Sequence, residues 1–505
     1  MTQAASAVTR PDARTPQKWV SFTVLFLIEM WERFGYYGMT AVVVLYMVKK
    51  LGYTDDRANL TFGAFVAMAY ASPAVGGWLG DKVLGTRRMT VIGATILGIG
   101  YALLATPGAP LFVSLGVIAV GSGLFKPNPA NLVSKVYEGN PAKIDSAFTL
   151  YYMAVNLGST LSQTATPLIA ERVSWHLAFA VCAGGLALGI LNYFFMSRFL
   201  RHVGSPPDLQ PFPWRKFLLT MAGCLAAVAF VSFVVQNLTV ARAMVWLATV
   251  VMLGIFAMLI AKGTRKERSG LIAVLILTAQ GIIFFVFYQQ MSTSLTLFAD
   301  RNVDLNFLFG YRVPAGQVQV LNPYWIFVLS PPLAWLYTRM GKRSGGDFPV
   351  ALKFALGFVV LAIGFFVFGG SGYTAGPDGK VSLWWMILGY GLMSLGELLI
   401  SGLGLAMVAR YVGPKLRGFL MGTWFLATGI SQYLGSWVAT FASVPQNVTD
   451  PNQTLHLYMR LYFWLGWVAV AGAIISFALL PLMRRLSAQS VQSDDVTASA
   501  AASAA

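Results

Sequence analysis

Charged residues are scarce in this chain of 505 residues, because only 11% are Asp, Glu, Lys or Arg while 57% are hydrophobic. Ordinary soluble domains carry about 25% charged residues. Apolar runs recur from Trp19 to Met483, and most approach the roughly 20 residues that a helix needs to cross a bilayer core of about 30 Å. The alternating ~10-residue segments of a membrane β-barrel are missing. The sequence therefore predicts an all-α polytopic membrane protein.

Cysteines and recognisable enzyme motifs are also few. The two cysteines, Cys182 and Cys224, both lie in apolar stretches, so no disulfide framework is predicted. The sequence has no helical His-x-x-x-His pair, no Gly-x-Ser-x-Gly elbow and no phosphate loop with a lysine. An enzyme is therefore disfavoured, and we expect neither a cofactor nor a metal. Residues 1–18 lack a signal-peptide cleavage pattern, so the first helix is expected to direct insertion.

Acidic residues are outnumbered, with 19 Asp and Glu against 36 Lys and Arg and a net charge of +17. The basic clusters lie in alternate loops, as the positive-inside rule expects, so they indicate membrane topology and not nucleic-acid binding. An even number of spans places both termini in the cytoplasm, and the bacterial inner membrane is the expected location. About fourteen spans are predicted, at residues 19–48, 59–80, 88–106, 111–133, 146–169, 176–197, 217–236, 242–262, 271–298, 321–339, 350–369, 383–410, 416–442 and 457–483.

The segment GGWLGDKVLGTRRMT at residues 76–90 joins the second and third predicted spans. Its pattern resembles the loop motif of the major facilitator superfamily, whose members have two bundles of six helices; a plain positively charged turn is the alternative. Asp81 is expected to cap a helix start, to pair with a neighbouring arginine and, with Arg87, to take part in gating on the inner side.

The superfamily resemblance implies that the two surplus spans form a helix pair inserted between the bundles. The implied division of the chain is a cytoplasmic N-terminus at 1–18, an N-terminal six-helix bundle at 19–200, a linker with two extra helices at 201–268, a C-terminal six-helix bundle at 269–485 and a disordered cytoplasmic tail at 486–505.

The segment IEMWERFGYYGMT at residues 28–40 carries charges within the first predicted span. Each mid-membrane charge costs about 2.5–3.5 kcal/mol on insertion scales, so three would cost about 9 kcal/mol. The charged face must therefore look into a bundle interior or a watery cavity; a self-satisfied ion cluster that locks helices together is the alternative to a functional role. The residues that share this face, at the spacing i, i+3, i+4, i+7 and i+8, are Glu29, Glu32, Arg33, Tyr36 and Tyr37.

Two more charges lie deep in predicted spans. Lys126 lies in GSGLFKPNPANL beside the helix-breaking Pro127, and Glu397 lies in SLGELLISGLG. The deep set then holds three carboxylates and two bases, so its charge is −1 when all are ionised and one proton neutralises it. Since a carboxylate that loses its cation partner in a dry site takes up a proton more readily, this set suits a proton-coupled carrier.

Several segments together resemble the proton-dependent oligopeptide transporter family (POT/PTR). The run Glu29-x-x-Glu32-Arg33-Phe34-x-Tyr36-Tyr37 is similar to the first-helix signature of that family, and LYYMAVNLGS at residues 150–159 to its fifth-helix motif. GSGLFKPN and GELLISGLG are similar to its fourth and tenth core helices. The short loop before Trp384 leaves no room for the large extracellular domain of animal members. The resemblance implies a bacterial proton-coupled symporter that imports di- and tripeptides by alternating access; a proton-coupled carrier of nitrate, a drug or a peptide-like anion is the alternative.

The resemblance also implies roles for particular residues. Lys126 and the first-helix charges are expected to hold the peptide carboxylate, and Glu397 the amino end. The expected partners are the peptide, protons and the lipid bilayer, with no nucleic acid and no required oligomer. The implied proton-coupling residues are Glu29, Glu32, Arg33, Lys126 and Glu397. The implied substrate-binding residues are Arg33, Tyr36, Tyr37, Tyr70, Lys126, Asn156, Gln290, Asn322, Glu397, Ser401 and Trp424.

Three departures from the family pattern affect these expectations. Thr40 stands where many bacterial relatives carry an arginine, and Gln289 stands where several carry a glutamate that pairs with the fourth-helix lysine. Lys126 is therefore expected to find another carboxylate, such as Glu29 or Glu397 when the cavity closes. No histidine lies in the second span, so the proton load is expected to fall on the glutamates.

An outer gate is predicted from charges near the ends of two spans. Asp300 and Asp304 follow the seventh core helix, and Arg57 precedes the second span. A salt bridge from Arg57 to Asp300 or Asp304 is expected to close the outer mouth. Solvated loop charges worth less than about 1 kcal/mol each are the alternative.

Overall fold

Long helices make up most of the fold in the computed structural model, which describes residues 18–344, 349–400, 411–448 and 450–489. Each predicted span overlaps one of them. In this part of the chain the α-helices are Lys18–Lys49, Asp55–Ala71, Pro73–Trp78, Thr86–Ala105, Leu111–Phe125, Pro127–Val136, Pro141–Arg172, Trp175–Met196, Trp214–Gln236, Leu238–Lys262, Arg265–Tyr288, Ser294–Asn302, Leu321–Ser344, Val350–Gly370, Leu383–Ile400, Pro414–Ala439 and Pro451–Ala488.

Short elements connect or extend these helices. A π-helical turn at Leu79–Leu84 continues the second span towards the loop motif. A two-stranded parallel sheet pairs Val303–Asp304 with Val381–Ser382. The 3-10 helices are Ser197–Leu200, Pro206–Leu209, Gln289–Ser292, Leu308–Gly310, Ala315–Val320, Ser371–Thr374 and Thr440–Ala442.

Ten of the helical spans in the described residues are long and apolar enough to cross a membrane, by length and composition. The first helix, which carries three charges in its middle, is not among these ten. The chain is thus a multi-pass membrane protein. The ten spans are Asp55–Leu84, Thr86–Ala105, Leu111–Val136, Trp175–Leu200, Trp214–Gln236, Leu238–Lys262, Arg265–Asn302, Val350–Thr374, Leu383–Ile400 and Pro451–Ala488.

Proline divides two of the spans, because it has no amide N–H and its ring clashes with the preceding helical turn. Pro127 follows the end of the helix Leu111–Phe125 and starts the next, so Lys126 lies at the joint. Pro73 starts a short helix after Ser72 in the second span. Both breaks occur near the charged cluster described below.

The helices pack as two groups, with the inserted pair outside them. The first helix packs on Pro141–Arg172 and Trp175–Met196, and in the other bundle Val350–Gly370 packs on Pro451–Ala488. The two inserted helices pack on Leu111–Phe125 and Arg265–Tyr288, one on each bundle. Between the bundles, Asp55–Ala71 packs on Pro414–Ala439.

Both bundles start at the same end of the molecule. Ser21 Oγ donates to Phe199 O, and Ser269 Oγ donates to Gln489 Oε1, so the starts of both bundles lie beside the ends of later helices. We call this the terminal end, because both ends of the described chain lie there. The opposite end, which holds the loop after Lys49, is called the far end.

Candidate functional site

The charges of the first helix form one buried cluster. Arg33 Nε lies 2.7 Å from Glu29 Oε1 and 3.1 Å from Glu32 Oε2. Glu29 and Glu32 are 1% and 0% exposed. The i, i+4 spacing of Glu29 and Arg33 places them one turn apart on the same face. The charged stripe therefore exists, faces the protein interior, and has one cation for two carboxylates.

Tyr151 supplies the other contact of Glu29, and its importance was missed by sequence reasoning. Its hydroxyl donates to Glu29 Oε2 at 2.5 Å. Gly158 lies two turns further along the same helix face, where a Cβ would lie 2.2 Å from Met30 O. This glycine permits the close approach that brings Tyr151 to the cluster. The tyrosine and glycine seven residues apart were the available sequence signal.

Both carboxylate oxygens of Glu32 and the Nζ atom of Lys126 are buried and have no hydrogen-bond partner among the described residues. Glu32 still lies within ion-pair distance of Arg33. Since most buried polar groups in native structures are hydrogen-bonded, such groups mark places with a function or a bound solvent molecule. These two side chains are therefore candidates for a functional role.

Lys126 lies between two aromatic rings. Its Nζ is 4.6 Å from the ring centroid of Tyr36 and 4.3 Å from that of Tyr70. The ring faces carry negative potential and stabilise the cation. In this structure Lys126 Nζ makes no hydrogen bond to a carboxylate, and the pairing with Glu29 or Glu397 on closure of the cavity stays a prediction. The two tyrosines take the place of the missing carboxylate.

Glu397 lies in the opposite bundle and is 8% exposed. Asn322 Nδ2 donates to Glu397 Oε2 at 2.7 Å and to Ser394 Oγ at 3.0 Å. The amide orients the carboxylate without cancelling its charge. Glu397 therefore presents a negative group whose hydrogen-bond partner in the protein is neutral.

A cavity of about 100 Å³ lies between the two bundles. Four predicted substrate residues line it: Tyr37, Asn156, Asn322 and Glu397. Asn156, Ser159 and Gln163 form a polar stripe at helical spacing, which was the signal for this wall. The lining residues that sequence reasoning missed are Tyr152, Val155, Ser159, Gln163, Tyr288, Met291, Ser292, Gln319, Pro323 and Ile326.

The charged cluster lies beside this cavity and does not line it. Arg33, Lys126, Tyr36 and Tyr70 are absent from the lining residues. The rings of Tyr36 and Tyr37 are in edge contact, with centroids 5.7 Å apart. Tyr37, which lines the cavity, therefore separates it from the side chains around Lys126.

Gln290 does not line the cavity in this structure, contrary to the position expected of a substrate-binding residue. Its Nε2 donates to Val286 O at 3.0 Å and to Gly435 O at 2.9 Å, while its Oε1 accepts from Ser294 at 2.8 Å. The side chain is fully buried. The 3-10 turn Gln289–Ser292 changes the helical phase here, and its neighbouring residues face the cavity instead.

Two further predicted substrate residues have different outcomes. Trp424 packs against Phe285, with ring centroids 6.4 Å apart, and against Gly281. It does not line the cavity, since its ring fills the contact between two helices of the C-terminal bundle. Ser401 lies outside the described residues.

The two departures from the family pattern occupy buried polar positions. Thr40 Oγ1 donates to Tyr37 O at 3.2 Å, which satisfies the hydroxyl within its own helix. Gln289 Nε2 donates to Ser436 Oγ at 3.2 Å. Gln289 therefore bonds within the C-terminal bundle and not to Lys126.

Ion pairs join the two bundles at the far end. Both terminal nitrogens of Arg301 donate to the carboxylate of Asp55, at 2.5 and 2.8 Å, and Asp55 also accepts from Val444 N at 3.0 Å. Lys49 pairs with Asp300. We call these two ion pairs the far-end latch.

The predicted partners in this latch need correction. Asp300 pairs with Lys49 and not with Arg57. The guanidinium of Arg57 lies 4.3 Å from the ring centroid of Tyr53. Arg57 lies in the first turn of its helix, which Thr54 caps, so it stacks on the preceding loop. The prediction that a cross-bundle ion pair forms here is right in kind but wrong in its basic residue.

At the terminal end, the loop motif is held in an unexpected way. Asp81 accepts from Asn131 at 2.7 Å and lies 3.7 Å from Lys135, so it pairs with a lysine and caps no helix. Gly85, with a φ of +107°, precedes the next helix. Asp208, from the linker, caps that helix by accepting from Thr86 Oγ1 and Arg87 N, each at 3.1 Å.

The arrangement defines a class of protein. Two helical bundles enclose a polar cavity, ion pairs join the bundles at one end, and buried charged groups, some without a hydrogen bond among the described residues, lie beside it. Among the described residues, no cluster of three His, Cys, Asp or Glu side chains is placed to hold a metal ion. A polytopic membrane carrier is the class that these features define.

Comparison with known proteins identifies the family. The model of the POT family matches residues 87–465. Dipeptide and tripeptide permease A of Escherichia coli (strain K12) is 43% identical over 474 residues, which cover 92% of this chain and 93% of that protein. Dipeptide and tripeptide permease B of Aliivibrio fischeri (strain MJ11) is 41% identical and covers 94% of this chain and 96% of its own length. The chain belongs to the POT family.

Solved structures show the same fold. The crystal structure of tetrameric PepTSo2 is 51% identical, covers 93% of this chain and 99% of its own, and superposes with a TM-score of 0.84. The peptide transporter POT in complex with sulfate is 28% identical, covers 94% and 97%, and has a TM-score of 0.81. The predicted major facilitator fold, with an inserted helix pair, is confirmed.

Proposed function

We propose that this protein is a symporter that imports di- and tripeptides together with protons by alternating access. One observation carries the proposal: cationic side chains lie in one bundle and an unneutralised carboxylate lies in the other, with a polar cavity between them. Relatives named dipeptide and tripeptide permeases support this substrate class.

The charge distribution suits a zwitterionic peptide. Arg33 and Lys126 hold the peptide carboxylate from the N-terminal bundle, and Glu397 receives the ammonium end. Only the two ends of the peptide are read by charge, whereas tyrosines on the wall offer apolar area with one polar group each. A preference for free peptide termini with tolerance of side chains follows from this arrangement.

Glu32 is the proposed proton carrier. It is fully buried, both of its carboxylate oxygens lack a hydrogen bond among the described residues, and it shares Arg33 with Glu29. Glu29 has a second partner in Tyr151 and is held more firmly. A peptide carboxylate that attracts Arg33 leaves Glu32 without its cation, and a proton then replaces the cation.

Alternating access uses the far-end latch as the outer gate. The ion pairs that join the bundles at the far end support its role as a closed gate, and the next exchange of peptide and proton then takes place at the terminal end. The two bundles rock about the cavity between them, as is typical of such repeats. Loop charge supports a cytoplasmic location for the terminal end.

We place the protein in the bacterial inner membrane with both termini in the cytoplasm, surrounded by lipid. The proton is the coupling ion, no cofactor takes part, and the peptide is carried without covalent change. The cavity lies between the two bundles of the same chain, and a single chain is proposed to be sufficient for transport.

Transport assays in liposomes test the proposal. The purified protein is reconstituted, an inside-alkaline and inside-negative gradient is imposed, and uptake of labelled dialanine and labelled nitrate is followed in parallel. We expect dialanine to accumulate above equilibrium and the accumulation to vanish when a protonophore is added. Gradient-driven nitrate uptake without dialanine uptake would replace the peptide proposal with the anion alternative.

A further inference from the structure

A groove of about 380 Å³ lies on the N-terminal bundle at the terminal end, away from the central cavity. Phe194, on one wall of the groove, is 59% exposed. One end of the groove is cationic, and its walls are otherwise apolar or aromatic apart from the hydroxyl of Ser197. The cationic residues are Arg87, Arg88 and Arg201, and the wall residues are Val91, Ile92, Tyr193, Phe194, Phe212 and Phe217.

Backbone carbonyl groups hold Arg88 at the cationic end. Its Nη1 donates to Leu84 O at 3.3 Å and to Pro207 O at 3.0 Å, and its Nη2 donates to Gln210 O at 2.6 Å. Its guanidinium also lies 5.3 Å from the ring centroid of Phe212. A guanidinium has five N–H donors, so two remain after these bonds. Carbonyl partners fix the group without cancelling its charge.

Arg87 is held in a similar way but has one carboxylate nearby. It donates to Leu200 O at 3.0 Å and to Asp208 O at 2.9 Å. The carboxylate of Asp208 is 3.9 Å from its Nε and is occupied by the helix cap and by Ser205. The groove end therefore has three guanidinium groups, with Arg201 exposed, against one carboxylate, a balance of +2.

His202 is a titratable group next to this cationic end. It follows Arg201 in the connection after the sixth helix, outside the membrane span Trp175–Leu200. Partial burial lowers the pKa of His202 first, and the cation of Arg87 lowers it further. A proton is thus disfavoured beside this groove, as is expected where positive charge is in excess.

The depth of the two parts matches the profile of a bilayer. Arg87 and Arg88 lie in the first turn of the helix Thr86–Ala105, where membrane headgroups are expected. Val91 and Ile92 follow three to five residues later, roughly 4–8 Å deeper along the helix axis at about 1.5 Å per residue. Charged groups therefore lie at the membrane surface and apolar walls lie below them.

We propose that this groove binds an anionic phospholipid, with the phosphate between Arg87, Arg88 and Arg201 and one acyl chain along the apolar walls. Planar guanidinium groups match phosphate geometry, and basic pockets between transmembrane helices on the cytoplasmic side suit anionic headgroups. The bound lipid joins the loop motif, the sixth helix and the linker. This site is separate from the peptide cavity, so lipid binding here does not depend on which solute the protein carries.

Lipid binding to the purified full-length protein tests the proposal. The delipidated protein in detergent is titrated with phosphatidylglycerol and, separately, with phosphatidylcholine, and bound lipid is counted by native mass spectrometry. We expect preferential retention of phosphatidylglycerol. Arg201→Gln is expected to weaken the binding of phosphatidylglycerol about fivefold, because one cation near the membrane surface contributes about 1 kcal/mol. The matched control Arg265→Gln removes an exposed cation at the same end, on the other bundle. This variant is expected to leave the binding of phosphatidylglycerol unchanged.

Two further arms make the outcome decisive. Ile92→Trp fills the apolar part while keeping every charge, and it is expected to reduce phosphatidylglycerol retention; its melting temperature without lipid checks that it is folded. Soluble glycerol phosphate is expected to compete only weakly. Equal retention of both lipids, equal effects of Arg201→Gln and Arg265→Gln, or full competition by glycerol phosphate would overturn the proposal.

Discussion

At the residue scale, the site gives each buried charge a different kind of partner. Arg33 is shared by Glu29 and Glu32, Lys126 rests between tyrosine rings, and Glu397 has a neutral amide. The buried cluster of the N-terminal bundle therefore has two cations against two carboxylates, whereas Glu397 has no ion pair among the described residues and its charge is left uncompensated there. A ligand with a cationic end is stabilised by that imbalance.

The Glu397→Gln variant tests this role. Gln keeps the size and the hydrogen bond with Asn322 but loses the charge that attracts an ammonium group. Since a hydrogen bond to a charged group contributes about 1.5–3 kcal/mol, we expect the KM for dialanine to rise roughly tenfold to a hundredfold. The KM for N-acetylated dialanine is expected to change little. The ratio of the KM for N-acetylated dialanine to the KM for dialanine therefore falls.

The control for this measurement is Glu171→Gln. Glu171 is an exposed carboxylate near the end of the helix Pro141–Arg172, and its replacement removes the same charge outside the cavity. Its KM values should equal those of the parent. An unchanged ratio of KM values in Glu397→Gln would show that the ammonium end is read elsewhere.

Spacing along one helix predicted some site residues, and tertiary packing decided others. Glu29 and Arg33 were predictable because residues four apart share a helix face. The contact from Tyr151 depends on how closely another helix approaches. Gln290 lies off the cavity wall because one 3-10 turn rotates its side chain into the bundle. The aromatic partners of Lys126 come from two other helices, which no single segment reveals.

At the element scale, small residues set how closely the helices approach the site. The first helix and the helix Pro141–Arg172 meet where Gly158 faces Met30 O. This contact fixes the position of Tyr151 relative to Glu29. A larger side chain at Gly158 would move apart the two helices that carry the proton-coupling groups.

The Gly158→Ala variant tests that contact against a matched glycine. The added Cβ would lie 2.2 Å from a backbone oxygen, and overpacking of this kind costs about 1–3 kcal/mol. Gly184→Ala, where nothing lies within 4 Å, is expected to be neutral or to stabilise the helix by up to about 1 kcal/mol. Melting temperatures in detergent compare the two; equal values would contradict the packing argument.

The spans were predictable because a bilayer demands long apolar helices, but their interruptions were only partly so. The break at Pro127 could be predicted from the sequence, because proline interrupts a helix. The cap that Asp208 provides for the helix Thr86–Ala105 could not be predicted, because the two segments are more than a hundred residues apart. Asp81, the expected capping residue, lies in a π-helical turn and bonds to Asn131 instead.

At the scale of the whole molecule, the far-end latch holds two bundles together across the cavity. Asp55 is buried and receives both Arg301 and Val444 N, whereas Lys49 and Asp300 are more exposed. Breaking a buried pair leaves an uncompensated charge and is strongly destabilising, while an exposed pair contributes little. The pair Asp55–Arg301 is therefore expected to control closure.

Spin-label distances across the far end test this expectation. Labels at Lys50→Cys and Gln446→Cys, with Cys182 and Cys224 replaced by alanine, report the separation of the bundles. Arg301→Gln is expected to shift the distance distribution towards longer values, with a smaller shift for Lys49→Gln. Arg57→Gln is the control, and a shift in that variant alone would restore the predicted gate through Arg57.

The central claim is that Glu32 carries the proton that drives peptide uptake, and one measurement tests it most directly. Liposomes with the protein contain a pH-sensitive dye, no gradient is imposed, and dialanine is added outside. The parent should acidify the lumen as peptide enters, whereas Glu32→Gln should not. In a separate exchange assay with equal dialanine concentrations on both sides, Glu32→Gln should still exchange labelled dialanine. Acidification by Glu32→Gln at the parent's rate, or none by the parent, would contradict the account.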